Sequence, residues 1–369
     1  MAYRGESYRG LDRFSDAIDD FSAALKLYPH FTYALEARGF AYEEMRQPDL
    51  ALANYKQALR EDPNLGLIWY YERLIYERAR AFEPARDAFR QAIRSSPKYV
   101  NAYIEAGYAS SHLKDRDGAI ASFDAAIRID PKSAAAFAAR GRFYRSEHED
   151  DRAIADLTTA MHLDPKRKSY SYTRARIYLE RKSYAKAIAD FTQVLQLDPR
   201  DERAWQQRAL TYRTLKSYPQ AIADFTELIK LTQSADAYND RARTYFMAGQ
   251  YQPAFDDYEQ ANRSGRGAIP TQSKSLAWRL ATCPDPAFRD GEKAVALATQ
   301  ECEKSSWHNW SKVDTLAAAE AEVGNYDDAV RYEQQAIDLA SKNPQLQSHL
   351  KDRFALYQDR KPFRDEPGR

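Results

Sequence analysis

Residues 187–199 read Ala-Ile-Ala-Asp-Phe-Thr-Gln-Val-Leu-Gln-Leu-Asp-Pro, and 34 positions earlier residues 153–165 read Ala-Ile-Ala-Asp-Leu-Thr-Thr-Ala-Met-His-Leu-Asp-Pro. In the later stretch Ala187, Phe191 and Val194 stand at i, i+4 and i+7, which is one stripe of an α-helix. A residue before proline avoids the α region, so Asp198 ends that helix, as Asp62, Asp130 and Asp164 end theirs. Pro29, Pro63, Pro97, Pro131, Pro165 and Pro199 extend the same 34-residue spacing over the chain. Each is preceded by a small residue (Ala17, Ala51, Ala85, Ala119, Ala153, Ala187) and four positions later by a large one (Phe21, Tyr55, Phe89, Phe123, Leu157, Phe191). After each proline a second group recurs: Gly39, Arg73, Gly107, Gly141, Ala175 and Ala209, then Tyr42, Tyr76, Tyr144, Tyr178 and Tyr212, with Ser110 the exception. The pattern predicts pairs of antiparallel helices, in which small residues allow close approach and aromatics fill the space between pairs. One hairpin cannot bury its apolar faces alone, whereas stacked hairpins can.

The period and its small–large positions resemble the tetratricopeptide repeat (TPR) family. The resemblance implies an all-α superhelical solenoid of about ten antiparallel helix pairs with a C-terminal capping helix. Residues 1–263 read as a tandem array, in which the unit after Pro199 is followed 33 residues later by one with Tyr238, Tyr245, Ala254, Tyr258 and Ala261. The lost residue lies near Gln233. The first unit is truncated: its phase leaves room for a first helix of about two turns. Residues 264–271 read as a Gly-rich linker. Residues 272–343 hold an atypical hairpin and a final regular unit around Ala317, Gly324, Tyr326, Ala329 and Ala336; residues 344–369 read as a capping helix and a charged tail. The run Leu280-Ala281-Thr282-Cys283-Pro284-Asp285-Pro286 with Arg289-Asp290-Gly291 resembles the terminal segment of a group of bacterial TPR proteins.

Composition narrows function by exclusion. Across 369 residues, 55 Lys and Arg balance 54 Asp and Glu, so no overall field attracts nucleic acid or an anionic membrane. No apolar run approaches the length of a membrane span. Two cysteines suit a reducing, cytoplasmic setting. Cys283 ends the first helix of its hairpin beside the start of the second, and Cys302 lies roughly 18 Å along that second helix, beyond the about 7 Å that a disulfide spans; both read as buried thiols. The six histidines show no metal-ligand spacing, and no P-loop or nucleophile-elbow motif occurs. The expectation is no metal, no cofactor and no catalysis.

Arginine and aspartate recur together. Arg4 goes with Asp20, Arg140 with Asp156, Arg174 with Asp190, Arg208 with Asp224 and Arg241 with Asp257; where Glu72 or Ala106 replaces the arginine, Ala88 or Ser122 replaces the aspartate. Arg38 with Asn54 is intermediate. Arginines presented to a ligand would not need a partner in their own unit; an ion pair tying the two helices would. Arg73 is the one large residue at the small position, so its hairpin is expected to pack loosely with the guanidinium turned outward.

In the TPR family the first helix of each pair lines the concave side. On that basis Tyr70, Leu74, Tyr108, Arg142, Arg145, Tyr172, Arg176, Arg213 and Arg243 would line a groove that runs from acidic through aromatic to basic. The Lys and Asn set with which some TPR domains hold a terminal carboxylate is absent: Glu36, Phe40, Tyr70, Leu74, Ile104 and Tyr108 stand there. The five arginines lack a repeating aspartate and are expected to meet an external carboxylate. The reading is a non-catalytic scaffold for a protein or peptide, acidic with apolar anchors. The alternative is a regulatory arm of a larger enzyme, such as a signalling kinase or transferase, whose catalytic domain precedes Met1.

Overall fold

A computed structural model of the chain describes residues 1–63, 65–95, 97–264, 276–340 and 344–365. These form two compact units, Met1–Arg181 and Lys182–Arg369. The first holds α1 (Ala2–Gly10), α2 (Phe14–Leu27), α3 (Thr32–Glu44), α4 (Pro48–Glu61), α5 (Gly66–Arg78), α6 (Phe82–Ser95), α7 (Val100–His112), α8 (Arg116–Ile129), α9 (Ala134–Ser146), α10 (Asp150–Leu163) and α11 (Lys168–Glu180). The second holds α12 (Tyr184–Leu197), α13 (Glu202–Thr214), α14 (Tyr218–Thr232), α15 (Ala235–Met247), α16 (Tyr251–Ser264), α17 (Leu276–Thr282), α18 (Gly291–Lys304), α19 (Trp310–Glu322), α20 (Tyr326–Leu339) and α21 (Pro344–Gln358). Among the described residues every regular element is helical, and the expected all-α repeat fold is the observed one. By phase the odd-numbered helices up to α19 are first helices of their pairs and the even-numbered ones second.

Local chemistry sets the ends. Asp62, Asp130, Asp164 and Asp198 each close a second helix outside the α region, the first, second and fourth in extended backbone, as the following proline demands. Where proline is missing, α14 runs on to Thr232 and is stopped by Gln233 in the left-handed region (φ 47°). The nine residues of α1, against thirteen in α3, match the short first helix expected. The linker proposed at 264–271 lies, apart from Ser264, outside the described residues, as do positions 272–275 of the following hairpin.

The alanine–aromatic stripe is the core. Ala17, Phe21, Ala51, Tyr55, Ala58, Ala119, Phe123, Ala126, Ala153, Leu157 and Ala160 are buried, and so are their counterparts Ala187, Phe191, Ala221 and Phe225 in the second unit. Close approach is literal at two glycines: a Cβ on Gly39 would lie 2.4 Å from the Tyr55 ring, and one on Gly107 2.6 Å from that of Phe123. Ala209 and Ala242 fit the same position, with α13–α14 and α15–α16 packed closely. Arg73 does not. The backbones of α5 and α6 stand apart as those of α3–α4, α7–α8 and α9–α10 do not, which is the loose hairpin expected from an arginine at the small position.

Cys283 and Cys302 are free and buried, and burial pushes both thiols above their ordinary range, Cys302 to about 12. No described helix is long and apolar enough to cross a membrane.

Candidate interaction site

The co-varying arginines are ties between helices. In the first unit Arg4 bonds both oxygens of Asp20 at 2.7 and 2.6 Å, and Arg140 both oxygens of Asp156 at 2.7 and 2.8 Å. In the second, Arg208 grips Asp224 at 2.8 Å twice and Arg241 grips Asp257 at 2.7 Å twice. Arg38 donates to Asn54 at 2.8 Å. The four arginines on aspartate each set a planar fork on the partner in the second helix of the same pair, and Arg38 makes a single bond there. Arg174 and Asp190 fall in different compact units.

A third arm was not read from the sequence. The remaining guanidinium nitrogen reaches back to the preceding second helix: Arg38 to Ser22 at 3.0 Å, Arg140 to Asp124 at 2.5 Å, Arg174 to Thr158 at 2.6 Å, Arg208 to Thr192 and Arg241 to Thr226 at 2.9 Å. The signal was present. The residue just after the large one carries a hydroxyl or carboxylate wherever the next unit carries the arginine, and it is Lys56 where the next unit carries Glu72.

With those arginines consumed in packing, the remaining polar groups of the first-helix face define the site. In the first unit Tyr70 is 43 % exposed, Leu74 and Tyr172 are half-buried, and Tyr108 lies edge-on to Phe123 with centroids 5.5 Å apart. Arg73 lies between the rings of Tyr70 and Tyr108, at 5.1 and 5.2 Å. Its Nε is 2.9 Å from Glu105 Oε2 and its Nη1 bonds Glu77. The guanidinium therefore does not turn outward; the gap between α5 and α6 and a carboxylate on α7 draw it along the first-helix face.

Burial raises two carboxyls here. Glu72, 2 % exposed, is pushed up to about 7, with Lys56 only partly opposing. Glu105 is pushed up to about 8 by burial, with Arg73 opposing and Glu77 and Glu72 adding to the rise. Sequence reading missed this pair because neither residue occupies a repeating acidic position.

Arg142 is exposed, its Nε donating to Ala138 O of its own helix at 3.2 Å. Arg145 donates to Glu180 Oε1 at 2.6 Å, and Arg176 Nη2 stands 3.8 Å from the same oxygen. In the second unit Arg213 bonds Asp240 Oδ1 at 3.0 Å. Arg243 is exposed, and its pKa is drawn down by desolvation and by the charges of Arg213 and Arg279. None of the five meets a repeating aspartate, but the expectation that this leaves them free is corrected for Arg145, Arg176 and Arg213, which pair with acidic groups of their own. Their partners sit on first helices, not at the second-helix position where the repeating aspartate lies. Arg145 and Arg176 share one carboxylate, Glu180, whereas Arg142 is an electrostatic neighbour of Glu105.

Comparison with known proteins gives a consistent assignment. A family model described as tetratricopeptide repeat matches residues 4–66, 37–99, 72–134 and 207–269, together more than half of the chain. A second model of the same description matches 169–201. No curated protein sequence matches. Among solved structures, YrrB, titled a TPR protein with an unusual peptide-binding site, is 19 % identical with a TM-score of 0.42, over 48 % of this chain and 93 % of that one. PilF of Pseudomonas aeruginosa is 19 % identical with a TM-score of 0.43, over 60 % and 94 %. A monomeric mutant of IFIT1 with Gppp-AAAA is 16 % identical with a TM-score of 0.45, over 91 % and 79 %.

Proposed function

The chain belongs to the tetratricopeptide repeat family and is a protein-interaction scaffold, and from that premise we propose that the first-helix face of its first unit binds an extended, acidic segment with aromatic or aliphatic anchors. The observation that carries this reading is the coexistence on one face of an exposed Tyr70 with exposed Arg142 and Arg176. Tyr70, Leu74, Tyr108 and Tyr172 supply rigid apolar area at small entropic cost. Arg145 and Arg176 share the single carboxylate of Glu180, leaving guanidinium capacity that a further carboxylate accepts bidentately, with the exposed Arg142 beside them on the face. Arg213 and Arg243 present a similar basic face on α13 and α15 of the second unit. Main-chain recognition by these side chains needs no preformed deep cavity.

A displayed library of unconstrained dodecapeptides, panned against the full chain at low salt, tests the reading. Acidic sequences with aromatic anchors should be enriched, and their affinity should fall as salt rises, because exposed charges are screened over about 10 Å at 0.1 M. Arg142→Glu with Arg176→Glu should weaken the selected peptides on the order of tenfold or more, about 1.4 kcal/mol per decade. Enrichment of basic or purely apolar peptides, or indifference to the charge reversal, rejects it.

A further inference from the structure

Residues 359–365, after α21, fold back on the second unit. Arg360 enters the left-handed region (φ 57°) and the Lys361 N–H returns to Leu356 O at 2.9 Å, which ends the helix and turns the chain. Pro362 cannot rejoin a helix, and residues 361–365 run extended to the ends of α19 and α17, both first helices. Phe363 packs on Trp278 with centroids 5.8 Å apart. Arg364 Nη1 lies 2.6 Å from Glu322 Oε2 and donates to Ala281 O at 3.3 Å. Asp365 Oδ2 accepts from Trp278 Nε1 and from Arg279 Nη1, each at 2.8 Å, and the Asp365 N–H donates to Thr282 O at 2.9 Å. An aromatic anchor, charge-assisted bonds to a carboxylate and a main-chain bond are the parts by which an extended peptide is recognised.

We propose that α17 and α19 form a peptide site for an aromatic–x–acidic segment, and that Phe363, Arg364 and Asp365 fill it in cis as a displaceable strap. The receiving groups are held from behind, independently of the strap: the Arg279 guanidinium lies 3.9 Å over the Phe246 ring and its side chain is 7 % exposed. With the strap gone, the Arg279 charge would lose its carboxylate and the Trp278 Nε1 an acceptor, both in side chains that are nearly buried. That is a costly vacancy, so the strap leaves when a second carboxylate with an aromatic two residues before it takes its place. The short tether from α21 gives the strap an effective concentration in the millimolar range. An external segment must therefore bind more tightly than the strap's three side chains do. The site is in the second unit and stands whether or not the first unit binds acidic peptides.

The experiment uses the full chain and an amidated, fluorescein-labelled heptapeptide of residues 359–365, followed by anisotropy. In the Phe363→Ala/Asp365→Ala double variant the strap is disarmed, and the peptide should bind at least tenfold more tightly than to the unaltered chain. A peptide with asparagine at the final position should lose most of that affinity. Equal binding to both chains, or no binding to a double variant that still melts cooperatively, overturns the proposal. If the double variant does not fold, hydrogen exchange on the unaltered chain decides. Exchange of the Asp365 amide and the Trp278 indole N–H well ahead of the α19 amides supports a displaceable strap; protection equal to α19 shows a fixed clasp and rejects it.

Discussion

The hairpins α5–α6 and α9–α10 occupy the same phase of the repeat, yet only one is tied. In α9–α10, Gly141 admits the second helix, and Arg140 clamps Asp156 of its own hairpin and Asp124 of the one before. In α5–α6 the small position is Arg73, the tie position is Glu72, and the aspartate position is Ala88. The helices part, Glu72 is buried facing Lys56, and Arg73 bridges to Glu105 on α7. The difference shows what the arginine tie does. It satisfies buried charge within a pair and holds the pair closed; where it is inverted, charge moves onto the first-helix face, next to the exposed Tyr70.

Removing the tie should cost far more than altering its inverted counterpart. Arg140→Ala leaves Asp156, 6 % exposed, as a buried carboxylate without its cation. Breaking such a pair from one side costs about 3 kcal/mol or more. Glu72→Gln removes a carboxyl that burial holds about half protonated at pH 7, and should not destabilise the fold there by more than about 1 kcal/mol. Urea unfolding of both variants measures the contrast, and hydrogen exchange should show α5 and α6 opening before α9 and α10. Comparable losses from the two substitutions would falsify the idea that the tie closes the hairpin.

The fold was legible because one fact, the 34-residue phase of proline, alanine and aromatic residues, is repeated often enough to fix helix type, ends and partners together. The ties were legible because the repeats co-vary inside one chain. Contacts between units were not. The Arg73–Glu105 contact joins residues 32 apart with no recurrence, so the arginine was expected to turn outward. Glu180 as the partner of Arg145 is 35 positions on; the spacing recurs at Glu43–Arg78 and Glu77–His112, but the residue types change from repeat to repeat, so no constant pair marks it in the sequence. The strap was hidden most completely: Asp365 meets Trp278 and Arg279 across more than 80 residues, and Lys361–Asp365 reads simply as a charged tail. Periodicity reports what every unit does, and these contacts are what single units do.

A second difference between the hairpins is their response to pH. Glu72 and Glu105 bind protons more tightly in the folded chain (about 7 and about 8) than at the ordinary glutamate value of 4.5. A raised carboxyl pKa gives stability that is complete below 4.5 and is lost as pH rises through 7 and 8. The groups facing them are Lys56 from α4, Arg73, Tyr76 and Glu77 from α5, Tyr108 from α7 and Arg142 from α9. Arg73 and Lys56 remain cationic throughout and limit the loss. Between pH 5 and pH 9 the first unit should lose several kcal/mol, since each unit of raised pKa is worth about 1.4 kcal/mol. Glu72→Gln with Glu105→Gln should flatten that dependence, and a double variant that keeps the slope of the unaltered chain would assign it to other groups.

The smallest effect concerns a feature that the two hairpins share. Arg80 follows α5 and His148 follows α9, both in the left-handed region at φ 50° and 60°. Asp12, Arg46, Lys114, Lys182 and Lys216 do the same at the 34-residue spacing, and glycine takes such a turn at Gly249 and Gly324. The turn is a helix C-terminal motif: in α9 the Glu149 N–H returns to Tyr144 O at 2.8 Å and the His148 N–H to Arg145 O at 3.0 Å. An L-residue there carries about 1–2 kcal/mol of steric strain, of which glycine returns part to the unfolded state as chain entropy. His148→Gly and Arg80→Gly should therefore each stabilise by about 0.5–1 kcal/mol. If the α5–α6 turn is held less firmly because its helices stand apart, Arg80→Gly should give the smaller gain. Thermal melts of the two variants against the unaltered chain read this directly, and a larger gain at Arg80 would mean that the parted hairpin strains its turn as much as the tied one does.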